Sequence, residues 1–396
     1  MRYPKHVVNK SDKMVYDNFG YFLKLIWNHL KLPEPTPIQL DIALYLQNGP
    51  RRRIIQAFRG CGKSWITAAY VLWLLYRDPQ HKIMVVSASK DRADAFSIFC
   101  KRLIADVPLL SFLKPREDQR NSNISFDVGP AEPDQSPSVK SVGITGQLTG
   151  SRADTIVADD IEIPKNSYTE LQREKLAELV KEFDAVLKPN GQVVYLGTPQ
   201  VAQSLYSADN LQSRGYECKI WPARFTLGLN DQGGDIYNGC LADSVLEVAK
   251  SRPDMLGLTT EPGRFTDIDL TEREVSYGRS GFALQFMLDT SLNDANRYPL
   301  KTSDLIVFDC DRKLAPVQIT WASGTTQIIE GLPNVGLNGD RYHRPMYISN
   351  DFLEYQGSVM VIDPSGRGAD ETAYCVGKML NGMIFVTRGG CLKGGY

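Results

Sequence analysis

No charge of either sign predominates in this chain of 396 residues, where 45 Lys and Arg stand against 46 Asp and Glu and leave a net charge of −1. Such a balance gives no molecule-wide field for a polyanion, so any nucleic-acid contact has to come from local patches. Paired cysteine motifs are missing as well. The seven cysteines, Cys61, Cys100, Cys218, Cys240, Cys310, Cys375 and Cys391, are odd in number and scattered without a C-x-x-C spacing. That pattern argues against a zinc module or a disulfide framework and reads as reduced thiols of a cytosolic protein. Long apolar runs are also lacking: Ile66 to Leu75 is about half of what a membrane span needs and reads as a buried helix. The first residues, Met1-Arg2-Tyr3-Pro4-Lys5-His6, lead into polar sequence and contain no apolar signal core. What is present is 42% hydrophobic residues, enough at this length for two or three domains with real cores.

One stretch organises the rest. The apolar run Arg53-Ile54-Ile55-Gln56-Ala57-Phe58 ends in Arg59-Gly60-Cys61-Gly62-Lys63-Ser64 and passes straight into a helical pattern. Gly60 and Gly62 have no Cβ, so the backbone N–H groups of Gly60, Cys61 and Gly62 can turn toward an anion at the positive end of the following helix. In that reading Lys63 reaches the β- and γ-phosphates of ATP and the Ser64 hydroxyl holds Mg2+. The strict G-x-x-x-x-G-K-[ST] pattern fails only at its first position, where Ala57 stands. Upstream, Thr36 and Pro37 start a helix as N-cap and first helical residue. Gln39, in its first turn, either reads the adenine edge through its amide or faces solvent.

The chain before and after the loop alternates helix and strand. An amphipathic helix is expected from Ser11 to Leu32, and an apolar helix from Trp65 to Tyr76. A strand follows at Lys82 to Ser87, then a helix from Lys90 to Val107. The fold class implied is α/β, a P-loop NTPase domain of the RecA-like kind with a mostly parallel sheet flanked by helices. Thr155-Ile156-Val157-Ala158-Asp159-Asp160-Ile161-Glu162 is a strand ending in carboxylates, costly unless a cation sits there. Asp159 is expected to hold the magnesium shell and Asp160 to be the base that deprotonates water, with Glu162 as its competitor. Arg152 is a candidate sensor or a finger reaching a neighbouring subunit, against the plainer reading of a surface arginine. Ser167 to Glu170 reads as a capping box opening a helix that runs on to Leu187. Thr198 and Gln200 follow the strand Gln192 to Leu196 in a Gly-Thr-Pro turn, where they would sense the γ-phosphate or simply turn the chain. Arg51-Arg52-Arg53 and Lys90/Arg92 are charge patches open to DNA or to solvent.

Taken together, Gln56 to Ser64, the run Ser138 to Asp154, Ala158-Asp159-Asp160, Tyr195 to Gln200 and Val361-Ile362-Asp363-Pro364-Ser365-Gly366-Arg367-Gly368 resemble the large terminase subunit of tailed phages, of the T-seven-like podophage type. The resemblance spans nearly the whole chain. It implies a catalytic role for Arg59, in cis on the γ-phosphate, and a ring of subunits on a portal that pumps double-stranded DNA into a procapsid. A small terminase subunit would choose the DNA. The location implied is the host cytoplasm, away from any membrane. The expected organisation is a motor domain over 1–225, a linker region over 226–300 and, over 301–396, the start of an RNase H-like nuclease. In that nuclease Asp363 would bridge two Mg2+ or Mn2+ ions, with Asp370 as helper. No Asp or Glu occurs between Thr372 and Tyr396, so the chain reads as cut short and its nuclease as inactive by itself. Two alternatives share the motifs: a helicase-like DNA-dependent ATPase, for which no second RecA-like repeat follows Ala223, and a non-catalytic assembly fragment.

Overall fold

The computed structural model describes residues 3–201, 203–207, 209–230, 233–290, 305–322, 324–332, 341–364 and 371–392. The chain divides into two compact units, Met1–Arg297 and Tyr298–Tyr396.

The first unit opens with three helices, α1 (Lys10–Asp17), α2 (Phe19–His29) and α3 (Pro37–Asn48). The single helix expected from Ser11 to Leu32 is broken at Asn18. Its side chain accepts from the Tyr21 N–H and so caps α2, an alternative to helical continuation that a short amide offers its own backbone. Thr36 caps α3 in a full capping box with Gln39, and Pro37 takes the first helical position. After β1 (Arg52–Ala57) come α4 (Lys63–Arg77), β2 (Ile83–Ser87), α5 (Lys90–Asp106), β3 (Ser125–Phe126), β4 (Val139–Gly143) and β5 (Ala153–Asp159). Then follow α6 (Pro164–Ser167), α7 (Glu170–Leu179), α8 (Glu182–Val186), β6 (Leu187–Gly197), β7 (Glu217–Trp221), α9 (Asp243–Ser251) and α10 (Asp267–Phe282).

These strands form one sheet in the order β3-β4-β2-β5-β6-β1-β7. Every pair is parallel except β3 with β4. β1, β2 and β5 are buried along almost their whole length, as strands covered on both faces must be. The order has one consequence for chemistry. β6 lies between β5 and β1, so the ends of the acidic strand and of the loop-bearing strand stand two strand spacings apart, about 10 Å, with the Gly197 end of β6 between them.

Two boundaries differ from expectation. The capping box sits at Thr169 with Gln172, because the Ser167 hydroxyl donates back to the Ile163 carbonyl at 2.8 Å and closes α6 instead. The helix also stops short of Leu187, which already begins β6. The stretch expected to be a linker is packed into the first unit in its described residues. The Arg59 N–H donates to the Gln285 carbonyl at 2.9 Å and the Ala223 N–H to that of Phe286 at 2.8 Å. Phe265 meets Phe58 edge-on at 5.6 Å. A few aromatic anchors hold it, without the strand and helix alternation that marks the rest. Within it, Leu229 and Asp235 form a bridge.

The second unit contains β8 (Leu314–Pro316), β9 (Ile319–Thr320), β10 (Tyr347–Ile348), β11 (Phe352–Glu354), β12 (Gly357–Asp363), β13 (Thr372–Leu380) and β14 (Met383–Leu392). β12, β13 and β14 form an antiparallel sheet. Asn381 (φ 50) and Gly382 (φ 78) turn the chain between the last two, the left-handed pair that a two-residue hairpin needs. Its buried core is small, Ala315, Leu380 and Phe385, and Val359, Met360, Val361 and Ile362 of β12 are exposed.

Candidate functional site

The phosphate loop is built by its glycines. Gly60 and Gly62 have φ near +90°, where a side chain is strained. A Cβ on Gly60 would stand 2.8 Å from the Phe265 ring. Gly62 is also the N-cap of α4, so the first N–H groups of a 15-residue helix open on the loop. Beside it lies a cavity of about 600 Å³. The loop contributes Arg59, Gly60, Gly62, Lys63 and Ser64 to its lining, the end of β5 contributes Asp160 and Glu162, and the end of β6 contributes Thr198 and Gln200. Residues from three parts of the sequence thus share one space.

Lys63 is buried, and its ammonium donates to the Ala57 carbonyl at 2.5 Å and the Thr198 hydroxyl at 3.5 Å. Asp159 is buried too, and burial, with the charge of Asp160, pushes its carboxyl up to about 7 against the pull of Ser64, Lys63 and Arg92. The Ser64 hydroxyl stands near this carboxylate, and Oδ1 of Asp159 is buried without a partner. An orphaned carboxylate oxygen beside a hydroxyl is a donor set that fits a hydrated Mg2+.

The two later acids are held differently. Asp160 has φ 46 and its N–H donates to the Leu196 carbonyl at 2.8 Å, which turns the side chain to the cavity; among the described residues its carboxylate accepts no hydrogen bond. Glu162 is enclosed. One oxygen accepts from the Gln200 N–H at 2.9 Å, the other from the Ser204 hydroxyl at 3.0 Å and the Leu205 N–H at 2.6 Å. Burial pushes its carboxyl up to about 6 although these bonds pull it down.

Gln39 borders the cavity, but both ends of its amide are engaged. Its Nε2 donates to the Cys61 carbonyl at 2.8 Å and its Oε1 accepts from the Thr36 N–H at 3.1 Å. In this arrangement it ties α3 to the loop. Cys61 is buried, with its thiol pushed up by burial and by Glu261. The Arg59 guanidinium is exposed at the cavity and has no partner among the described residues. Arg152 lies elsewhere: it precedes β5, the central strand, at the end of the sheet away from the phosphate loop, and donates to the Ala185 carbonyl, in a basic cleft with Arg51, Arg52 and Lys188. As a sensor in cis it is out of reach. Of the triple-arginine patch, Arg53 is a buried strut bonded to the Leu46 and Pro50 carbonyls and the Tyr70 hydroxyl, so it cannot face DNA, while Arg52 pairs with Asp184.

Sequence reasoning missed Arg264 and Gln285, which line the cavity, and left Arg92, which lines it too, as a charge open to DNA or to solvent. Arg92 had a signal, its place in the first turn after a strand end. Arg264 had none, since it comes some 200 residues after the loop in a stretch without periodicity. Asp363 ends β12 and is exposed. Asp370 lies outside the described residues, among which no three His, Cys, Asp or Glu converge on a metal position.

The family model named "Terminase Bacteriophage T7, Ribonuclease H-like domain" matches residues 362–396. The large terminase subunit of Enterobacteria phage T3 is 51% identical over 384 residues, covering 96% of this chain and 65% of that protein. The chain therefore spans a little under two thirds of the length of this curated relative. The solved ATPase domain of the large terminase of Thermus phage P74-26 aligns with 67% of this chain and 96% of its own, at 14% identity and a TM-score of 0.36, too slight a likeness to argue from.

Proposed function

The chain is a homologue of the large terminase subunits of tailed phages, and on that premise we propose that it is an ATP-hydrolysing motor subunit that drives double-stranded DNA into a procapsid. One observation carries the reading: the Ser64 hydroxyl of the phosphate loop stands near the carboxylate of Asp159 at the end of β5, and the buried Lys63 pulls on the same carboxylate. Two segments nearly a hundred residues apart thus offer a cation and a carboxylate to one ligand.

ATP fits by charge, since Arg59, Lys63, Arg92 and Arg264 border the cavity and a triphosphate brings compensating negative charge. Lys63 would exchange its contacts with Ala57 and Thr198 for phosphate oxygens. Ser64 and Asp159 would hold magnesium, which when bound would neutralise charge on the transferred phosphoryl group. Asp160 is the base in this reading, because its carboxylate has no other bond to break before it takes a proton from water. Glu162, with both oxygens engaged, links the acidic strand end to residues 200–205, so a shift of Thr198 or Gln200 when the γ-phosphate leaves would pass along it. Arg59 acts in cis, and Arg152, at the opposite ends of the strands, would serve a neighbour's nucleotide in a ring on the portal. DNA, the portal, the small subunit and the cytoplasmic setting of assembly belong to the same proposal.

Steady-state ATP hydrolysis by the wild type and Lys63→Ala, with and without portal-bearing procapsids, tests it. The wild type should turn over ATP and be stimulated by procapsids, and the variant should lose at least a hundredfold in kcat. Equal rates for the two proteins would leave an assembly factor without motor chemistry. Stimulation by free DNA alone, without effect of procapsids, would favour an unwinding enzyme.

A further inference from the structure

Arg264 and Gln285, from the segment after β7, line the cavity together with the phosphate loop, and the scheme above counts Arg264 only as one of the bordering charges, without a contact of its own. Arg264 donates from Nη1 to the Cys61 carbonyl at 3.2 Å, and the same nitrogen stands 3.2 Å from where a Cβ on Gly62 would be. The guanidinium therefore lies over the Gly60–Gly62 cradle. Its place is well determined: the Arg264 and Phe265 N–H groups both donate to the Glu261 carbonyl, at 3.0 and 2.9 Å. The buried Glu261 carboxylate accepts from the Thr36 hydroxyl at 2.5 Å, and the Phe265 ring packs under Gly60.

The Cys61 carbonyl does not need this arginine. It already accepts from the Gln39 amide at 2.8 Å, so a neutral donor satisfies it. A guanidinium carries five N–H donors, and among the described residues only the contact to Cys61 uses one of them. The remainder border the cavity beside the loop whose backbone turns toward an anion. A charged fork with spare donors, fixed over a phosphate cradle, matches phosphate oxygens in geometry and charge.

We propose that Arg264 is a ligand of the nucleotide's polyphosphate, a cation supplied to the loop from across the cavity by the segment after β7. This rests on the reading of the cavity as an ATP site. Binding of a fluorescent ATP analogue with Mg2+ is measured for the full chain and for Arg264→Ala, Arg264→Gln, Arg264→Lys and Arg273→Ala. Arg273 also approaches Phe265, 5.2 Å from its ring, and does not line the cavity, so it controls for loss of a nearby charge. Arg264→Ala and Arg264→Gln should weaken binding at least tenfold, Arg264→Lys should stay within about threefold of wild type, and Arg273→Ala should bind as wild type does. The glutamine variant decides the matter, since it removes the charge and, with its shorter side chain, leaves the Cys61 carbonyl to the Gln39 amide that already satisfies it. If it binds as tightly as wild type, Arg264 merely braces the loop and the proposal is overturned. A wild type that binds no ATP would instead sink the nucleotide site itself, and this inference with it. Thermal unfolding without nucleotide checks that each variant is folded, which the exposure of Arg264 leads one to expect.

Discussion

Asp160 and Glu162 sit two residues apart on the same loop and meet different surroundings. One carboxylate faces the cavity with no hydrogen bond among the described residues, while the other spends both oxygens on Gln200, Ser204 and Leu205. The reading in which Asp160 is the base predicts that Asp160→Asn lowers kcat by roughly 10²- to 10⁴-fold, the usual worth of a general base, with little change in ATP affinity. Glu162→Gln, which can no longer accept from all three donors, should lose less; if steady-state kinetics show it falling as far as Asp160→Asn, the glutamate is the base. The same side chain gives a pH signature. Its carboxyl is raised from 4.5 to about 6 in the folded chain, so between those values the folded state holds a proton that the unfolded state has released. Stability must then fall as pH rises through that window, by on the order of 2 kcal/mol for a shift of this size. Chemical denaturation of the wild type and Glu162→Gln between pH 4.5 and 6.5 should show the wild type losing stability relative to the variant, and parallel curves would refute the buried carboxyl. Legibility divides at this scale too. The presence of acids at a strand end is written in the run Ala158 to Glu162, but which of them faces the cavity depends on the left-handed turn at Asp160 and on bonds from forty residues away.

At the scale of elements, the end of β6 is the tightest point of the site. A Cβ on Gly197 would stand 2.3 Å from the Tyr206 ring, and Tyr206 is wholly buried just beyond Ser204 and Leu205, which hold Glu162. Gly197→Ala should therefore destabilise the chain by about 1–3 kcal/mol, the range for overpacked cores. Tyr206→Leu in the same chain should recover part of the loss. Differential scanning calorimetry of the single and double variants checks this, and strictly additive effects would mean that the two positions do not touch. Helix starts were legible because caps are local: Thr36, with Pro37 and Gln39, marks its helix within four residues. The break at Asn18 and the shifted cap at Thr169 were not, since an Asn or Ser side chain can serve several backbone groups and only the packed neighbours decide which.

At the scale of the whole molecule, all residues lining the cavity fall between Trp27 and Gln285, within the first unit. The second unit exposes Val359, Met360, Val361 and Ile362 of β12, and its Asp363 has no converging carboxylates among the described residues. Since two-metal hydrolysis needs several, purified 1–396 should not nick supercoiled plasmid in Mg2+ or Mn2+; nicking that Asp363→Ala abolishes would show that the hairpin unit is sufficient. By itself the sequence determined the alternation that makes a parallel sheet, the glycine cradle before a helix and the acids after a strand, because each is a short-range pattern of volume, φ and charge. Only the tertiary structure decided that Gln39 braces the loop, that Arg53 is a buried strut, that Arg152 stands at the opposite ends of the strands, and that Arg264 and Gln285 line the cavity. Those outcomes follow from strand order and from contacts between residues a hundred or two hundred positions apart, for which the chain carries no local signal.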